Sequence, residues 1–357
     1  MGRKVCHQEI KRILALAGRL SGNSIWPESH IVNLSVFPTN LNMSQDAPLT
    51  RKGMDRTDVS LCLCLMADSR TPYHELASKF GLSINAVHKR IAAMTKMGII
   101  RTFTAHPSLV SVGAVSVWVY GRSEAAHPGD IHKVLNTNDH TYWVANSGGG
   151  FIYVGGYLKD VSELDEYVDF VKRSGEISDP TIGIIPSFGR RPKESLRPLD
   201  LQILGSLMKD SRKPITEVAA EVNASAKTVH RRLEWMVERQ LAEFTIEWYP
   251  DASNDIVSLC HVEVAKPFDR QKALQALREK FSRNILVEIL FSNMPNAVVL
   301  FMWTNSMKQM EDLRERIGRA EEVKSVILNV LQIGYIFDTW RDKLVHENAL
   351  PAARISH

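Results

Sequence analysis

The apolar residues of one segment recur at the spacing of short helices. Leu61, Leu65 and Met66 fall on one face of a first helix. Pro72 stands where the first turn of a second helix tolerates proline, and that helix runs to Phe80. The pattern therefore predicts two consecutive helices with a short connection between them.

A third helix follows after a tight turn. Ser83 is placed to cap its N-terminus, and Val87, Ile91 and Met94 form its buried stripe. Gly98 ends the helix, as glycine commonly does at a helix C-terminus. Three short helices with a turn before the last one predict a helix-turn-helix unit.

The same segment occurs twice. Asp58 matches Asp200, and the difference between these positions sets an offset of 142 that maps residues 68–70 onto 210–212 without a gap. Further matched pairs are Pro72 and Pro214, Glu75 and Glu217, Ala77 and Ala219, Ser83 and Ser225, Val87-His88 and Val229-His230, and Arg90 and Arg232. So many matches in one register predict a duplicated unit.

A different pattern follows each unit. Residues 99–104 predict a strand that begins a wing, and beyond it strands alternate with helices. The first half has strand 114–121, helix 128–135, strands 142–146 and 151–158, helix 161–173 and strand 181–186. The second half has strand 256–264, helix 270–281, strands 285–291 and 297–304, helix 306–317 and strand 323–332. The predicted fold class is α+β, a tandem repeat of a winged helix-turn-helix followed by a ferredoxin-like βαββαβ domain.

These patterns divide the chain into seven parts. They are an N-terminal extension at 1–53, a first winged helix-turn-helix at 54–106, a first βαββαβ effector or oligomerisation-like domain at 107–187, a basic linker at 188–198, a second winged helix-turn-helix at 199–250, a second βαββαβ domain at 251–335 and a C-terminal tail at 336–357. The extension fits neither half, and a true start at Met43 or Met54 is an alternative. The tail beyond Trp340 is charged, and we expect it to fray.

The composition is that of ordinary globular domains. Hydrophobic residues make up 44% and charged residues 24%, and the net charge of +4 permits a polyanionic partner without requiring one. No apolar stretch of about 18 residues occurs, so we expect no membrane span. The four cysteines, Cys6, Cys62, Cys64 and Cys260, lack the spacing of a zinc or redox site. We therefore expect a cytoplasmic protein with reduced thiols, without a metal or another cofactor and without enzymatic activity.

The last helix of a helix-turn-helix lies in the major groove, and its N-terminal part faces the base edges. We expect recognition helices at 84–97 and 226–239, with double-stranded DNA as the partner. The outward-facing DNA-binding candidates are Ser83, Asn85, His88, Lys89 and Arg101 in the first copy, and Ser225, Lys227, Thr228, His230 and Arg231 in the second. Asparagine can read adenine, and arginine or lysine can read guanine or grip phosphate. For any single residue, a solvated helix face is the alternative.

Further basic residues are expected to contact phosphates without reading sequence. They are Arg101, Arg239 and the linker residues Arg190, Arg191 and Lys193. His88 and His230 share one repeat position, but no additional ligands stand at a spacing suited to a metal ion.

The repeated unit resembles the N-terminal domain of the leucine-responsive (Lrp/AsnC, feast/famine) regulators. The resemblance rests on Asp58…Leu65, Glu75-Leu76-Ala77, Gly81-Leu82-Ser83, Val87-His88-Lys89-Arg90-Ile91 and Gly98-Ile99-Ile100. It extends twice over residues 54–335, and it implies a transcription regulator with a RAM-like effector and oligomerisation domain after each helix-turn-helix. Because family members of usual length resemble one half and pair through their sheets, it also implies an internal pseudo-dimer, a homo-oligomer or both.

Two departures leave alternatives open. The family's effector pattern, Thr/Ser-Gly-x-x-Asp, is broken at residues 147–151, so a small-molecule effector stays uncertain and a plain hairpin turn is favoured. Siroheme decarboxylases resemble the same two-domain plan, and residues 140–144 match their His-Asn-Tyr-x-Arg motif at His140 and Tyr142 but lack the arginine. A third alternative is an interaction protein that no longer binds DNA.

Overall fold

The computed structural model describes residues 53–186 and 191–349, which form two successive α+β halves. The N-terminal extension through residue 52, Arg190 of the linker and the end of the tail from residue 350 lie outside the described residues. None of the described helices is long and apolar enough to cross a membrane.

The elements of the first half follow the predicted order. They are α1 (Arg56–Ala67), α2 (Tyr73–Phe80), α3 (Ile84–Lys96), β1 (Ile100–Pro107), α4 (Leu109–Val112), β2 (Val115–Arg122), α5 (Ile131–Leu135), β3 (Thr141–Ser147), β4 (Phe151–Leu158), α6 (Leu164–Ser174) and β5 (Thr181–Ile185).

The second half repeats that order without a counterpart of α4 and with one added helix at its end. Its elements are α7 (Pro198–Leu207), α8 (Ile215–Glu221), α9 (Ala226–Glu238), β6 (Ala242–Trp248), β7 (Ile256–Val264), α10 (Arg270–Phe281), β8 (Ile285–Leu290), β9 (Ala297–Thr304), α11 (Met307–Gly318), β10 (Val323–Ile336) and the additional α12 (Trp340–Ala349). The mixed α+β class and the repeat of a helix-turn-helix with a ferredoxin-like domain are confirmed.

Each helix-turn-helix is held together by an apolar core and one buried carboxylate. In the first unit the Arg90 guanidinium lies 2.8 Å from the fully buried carboxylate of Asp58. In the second unit Arg232 binds the equally buried Asp200 through two nitrogens, at 2.6 and 2.5 Å. A buried carboxylate needs such a partner, which explains why these pairs recur at the repeat offset.

The two units meet across an approximate two-fold axis. Ser69 and Ser211, which are repeat mates, contact each other through their hydroxyl oxygens at 2.6 Å. The contacts around them are reciprocal, because Arg70 donates to the carbonyl of Ser211 and Arg212 donates to the carbonyl of Ser69. Contacts that recur reciprocally between equivalent residues are the mark of two-fold symmetry.

The strands that follow the helix-turn-helix units also form contacts between the two halves. β1, expected to begin a wing of the first unit, pairs antiparallel with β6 of the second, with Thr104 opposite Thr245. Ile246 of β6 lies in the core of the first unit, and Ala105 of β1 lies in the core of the second. Each helical unit is therefore completed by a strand from the other half.

The remaining strands form one eight-stranded sheet in the order β5-β2-β4-β3-β10-β7-β9-β8. Each half contributes four strands in the ferredoxin-like order, and the end of β10 joins them by pairing with β3. The segment after β8 returns to β5, where the amide of Ser292 donates to the carbonyl of Ile184 at 2.8 Å. The helices α5, α6, α10 and α11 cover the outer faces. A shared aromatic cluster that includes Trp118, Tyr153 and Phe291 fills part of the interior.

The C-terminal tail differs from the expectation. β10 extends to Ile336 instead of 332, and α12 follows where fraying was expected. Val345 is fully buried against the second helix-turn-helix, and Arg341, also buried, lies 3.1 Å from the carboxylate of Glu243. The charged residues that suggested a solvated tail are instead used in buried ion pairs.

Candidate nucleic-acid interface

α3 presents the face that the sequence predicts. The Ser83 hydroxyl accepts a hydrogen bond from the amide of Ala86 at 3.1 Å, which caps the helix. Its inward stripe of Val87, Ile91 and Met94 is buried. The candidates Asn85, His88 and Lys89 are all exposed, so they stand on the outer face of the helix together.

α9 is built in the same way. The Ser225 hydroxyl accepts from the amide of Thr228 at 3.1 Å and also contacts the Thr228 hydroxyl at 2.8 Å. Lys227, His230 and Arg231 are exposed, whereas Thr228 is half-buried. Thr228 therefore serves the cap as much as the outer face.

The two histidines have different neighbours. The ring of His88 packs edge-on against Tyr73 of α2, with 5.6 Å between the ring centres. The ring of His230 lies 3.3 Å from the carboxylate of Glu234, one turn further along α9. Each histidine is thus oriented by its own unit, and among the described residues no cluster of three or more metal-binding side chains occurs.

The remaining basic candidates lie away from the two helix faces. The guanidinium of Arg101 stacks 3.5 Å above the ring of Tyr249, in the other half. Arg239 forms an exposed ion pair with Glu194 at 2.9 Å, so its charge is partly used within the chain. Arg191 and Lys193 are exposed, and the guanidinium of Arg191 reaches Gly113.

The glycine run of the effector pattern is a connection between strands. Residues 148–150 join β3 to β4, and Gly149 and Gly150 adopt positive φ angles of 71° and 74° that favour glycine. Ser147 before them donates from its hydroxyl to the carbonyl of Val330 in β10, at 2.8 Å. The run therefore forms a hairpin that is tied to the second half.

The histidine and the tyrosine of the decarboxylase-like motif contact different neighbours. His140 holds the side chains of Asn138 and Glu163 through its two ring nitrogens, at 2.9 and 3.1 Å. Tyr142 instead stacks on Tyr157, with 3.9 Å between ring centres, and accepts a hydrogen bond from the indole of Trp118. Burial raises the pKa of Tyr142 to about 12, so its hydroxyl is neutral near pH 7.

An apolar cavity of about 300 Å³ lies between the halves, beside these tyrosines. Its walls include Trp118, Trp143, Tyr142 and Phe301 of the eight-stranded sheet, and Trp248 at the end of β6. The sequence interpretation did not identify this cavity. The signal that could have pointed to it is the concentration of tryptophan and tyrosine in strands that otherwise read as aliphatic core.

Comparison with known proteins relates the chain to one family. The AsnC-type helix-turn-helix domain matches residues 54–95 and 198–236. The uncharacterised helix-turn-helix-type transcriptional regulator PH0061 of Pyrococcus horikoshii is 34% identical over 83 residues, which cover 23% of this chain and 55% of that protein. The regulator LrpA of the same organism is 35% identical over 68 residues, 19% of this chain and 48% of that protein. The chain thus aligns with about half the length of these two relatives.

A solved structure matches a larger part of the chain. The siroheme decarboxylase NirDL superposes with a TM-score of 0.55 over 82% of this chain and 98% of its own, at 12% identity. A second structure of that enzyme contains an iron-uroporphyrin III analogue, at 11% identity and a TM-score of 0.54. At such low sequence identity, the superposition shows that the two proteins share a fold. The family match is the more specific evidence, and it confirms the resemblance to Lrp/AsnC proteins: this chain carries two AsnC-type helix-turn-helix domains.

Proposed function

We propose that the protein is a DNA-binding transcription regulator of the Lrp/AsnC type that reads two unlike half-sites. The observation that carries the proposal is the exposed polar face of α3 and α9, which recurs on two units related by the Ser69–Ser211 contact. The names of the regulators PH0061 and LrpA support the same function.

The proposal includes an internal pseudo-dimer. Two-fold related helix-turn-helix units address half-sites about 34–36 Å apart, which is one turn of DNA. The reciprocal contacts of Arg70 and Arg212 and the exchange of β1 and β6 favour such an arrangement within one chain. Since Asn85 is matched by Lys227 and Lys89 by Arg231, the two half-sites need not have the same sequence.

The chemistry of the cavity is unsuited to a uroporphyrin. A uroporphyrin carries many carboxylates, and proteins hold carboxylates with arginine, lysine or histidine. Among the described residues that line the cavity, the charged one is Asp251, an acid. An acidic rim repels a polycarboxylate.

The test is fluorescence anisotropy with labelled genomic fragments over a series of salt concentrations. We expect tight binding to a subset of fragments, with affinity falling steeply as salt rises, because phosphate contacts release counterions. Replacing His88, Lys89, His230 and Arg231 together by alanine should abolish specific binding while the fold survives. Lys172→Ala with Arg173→Ala, on the exposed face of α6, is the matched control and should leave binding unchanged.

Two results would overturn the proposal. One is unchanged affinity of the quadruple variant for the preferred fragments. The other is turnover of siroheme by a chain that binds no duplex at any salt concentration, which would favour the decarboxylase alternative.

A further inference from the structure

The cavity between the halves has the composition of a ligand site. Its volume of about 300 Å³ lies at the lower end of the range for small-molecule pockets, which suits one small ligand. Residues in equivalent strand positions of the two halves line it, namely Trp143 of β3 in one half and Val287 of β8 in the other. It therefore lies close to the approximate two-fold axis, although its two sides are chemically different.

The first half supplies most of the aromatic wall. Trp118 and Trp143 lie with their ring centres 5.0 Å apart and 32° between their planes. Phe301 completes the wall from the second half, 6.2 Å from Trp143. A flat aromatic ring inserted there would gain both apolar burial and offset or edge contacts with these rings.

The polar groups of the cavity are few. The indole nitrogen of Trp248 is buried and has no hydrogen-bond partner among the described residues. Asp251, in the turn after β6, places an exposed carboxylate at the rim, where its oxygen lies 3.5 Å from the amide of Gly334. Among the described residues that line the cavity, the charged group is therefore an acid.

We propose that this cavity binds a small arylalkylamine, that is, an aromatic ring that carries a protonated aliphatic amine. The ring would lie among Trp118, Trp143 and Phe301, and the ammonium group would face Asp251 and the aromatic walls, which attract cations. A ligand that carries a carboxylate would meet the Asp251 carboxylate and is disfavoured. Met66 of α1 and Ile246 of β6 also line the cavity, so the ligand would touch the first helix-turn-helix unit. Binding itself does not depend on the proposed DNA function.

The test is isothermal titration calorimetry of the full chain with three probes of similar ring size. Tryptamine is cationic near pH 7, indole is neutral, and indole-3-acetate is anionic. We expect one site per chain, with tryptamine bound more tightly than indole and indole more tightly than indole-3-acetate. Asp251→Asn should weaken tryptamine about fivefold and leave indole unchanged, as expected for a partly exposed ion pair.

A matched pair of variants tests the location. Ile333 lines the mouth of the cavity and is 38% exposed, so Ile333→Trp can block entry without disturbing a buried position. Ile327 lies on the same strand and is 63% exposed but does not line the cavity, so Ile327→Trp is the control. We expect loss of tryptamine binding in the first variant and wild-type binding in the second, with equal melting temperatures.

Three results would overturn the proposal. They are the absence of binding heat with all three probes, binding of indole-3-acetate as tightly as tryptamine, and unchanged tryptamine affinity in a folded Ile333→Trp variant.

Discussion

The two helix-turn-helix units share one scaffold and differ in what supports it. The Arg232–Asp200 contact of the second unit is bidentate, whereas Arg90 of the first unit divides one nitrogen between Asp58 and Asp55. The second unit is also braced by α12, whose Val345 lies in its core. The two units are therefore stabilised by different interactions, and each difference can be tested against the equivalent position of the other unit.

Loss of the buried ion pairs should produce the largest difference. Arg232→Ala leaves a fully buried carboxylate without its counter-charge, and we expect the free energy of unfolding to fall by about 3–5 kcal/mol. Arg90→Ala should cost about 2 kcal/mol, because burial and the neighbouring Asp55 already raise the pKa of Asp58, which can then take up a proton. Urea unfolding near pH 7 measures both values.

The exposed Arg173→Ala variant serves as the control for this pair and should change stability by less than about 0.5 kcal/mol. Equal losses from Arg232→Ala and Arg90→Ala would show that neither the second hydrogen bond of Arg232 nor the raised pKa of Asp58 changes the cost of losing the arginine.

The interior face of the eight-stranded sheet offers a second contrast between the halves. Tyr120 of β2 and His261 of β7 occupy corresponding positions in their halves, and their ring centres are 5.2 Å apart. Asn329 donates to the hydroxyl of Tyr153, and that hydroxyl is hydrogen-bonded to the Nε2 atom of His261 at 2.6 Å. Burial lowers the pKa of His261 to about 4, so the ring is neutral at pH 7.

Because the second half has His261 where the first half has Tyr120, we predict that the stability depends on pH through the second half. In the unfolded chain His261 takes up a proton near pH 6.5, whereas in the folded protein it does so only near pH 4. The stability is thus complete above about pH 6.5 and should fall by about 3 kcal/mol as the pH drops through that window. Unfolding curves for the wild type and His261→Gln, recorded from pH 7 to pH 4, measure the effect.

His261→Gln removes the titrating group and keeps an acceptor for Tyr153, so its stability should depend less on pH in this range. The same slope in both proteins would assign the pH dependence to other groups.

The smallest expected difference is in how much each recognition face contributes to DNA affinity. Lys227 and Arg231 carry two positive charges on α9, while Asn85 and Lys89 carry one on α3. Alanine at both positions of the second unit should therefore weaken DNA binding about tenfold more than alanine at both positions of the first, which corresponds to about 1.4 kcal/mol. The salt dependence should also fall by about two units of slope in one variant and about one in the other.

Anisotropy titrations with one preferred fragment measure this contrast. Equal losses in the two variants would indicate that both units read the site alike, whatever their charge.

The features that depend on local pattern are predictable from the amino-acid sequence. The helical spacing of Val87, Ile91 and Met94 and the cap at Ser83 fix where α3 lies and which face it buries. The repeat offset predicted the second unit, and the alternation of strands and helices predicted the ferredoxin-like order. These features follow from contacts a few residues apart, so they can be read without knowing the rest of the fold.

How the two copies meet depends on long-range packing, which local pattern does not encode. The pairing of β1 with β6 and of β10 with β3 joins residues far apart in the chain, and alternation gives each strand its faces but not its neighbour. The docking of α12 was not predicted for a related reason. Arg341 and Asp342 pair with Glu243 and His106, which are far away in the sequence. The aromatic cavity likewise exists only where Trp118, Trp143 and Phe301 converge, and that convergence depends on packing between the halves.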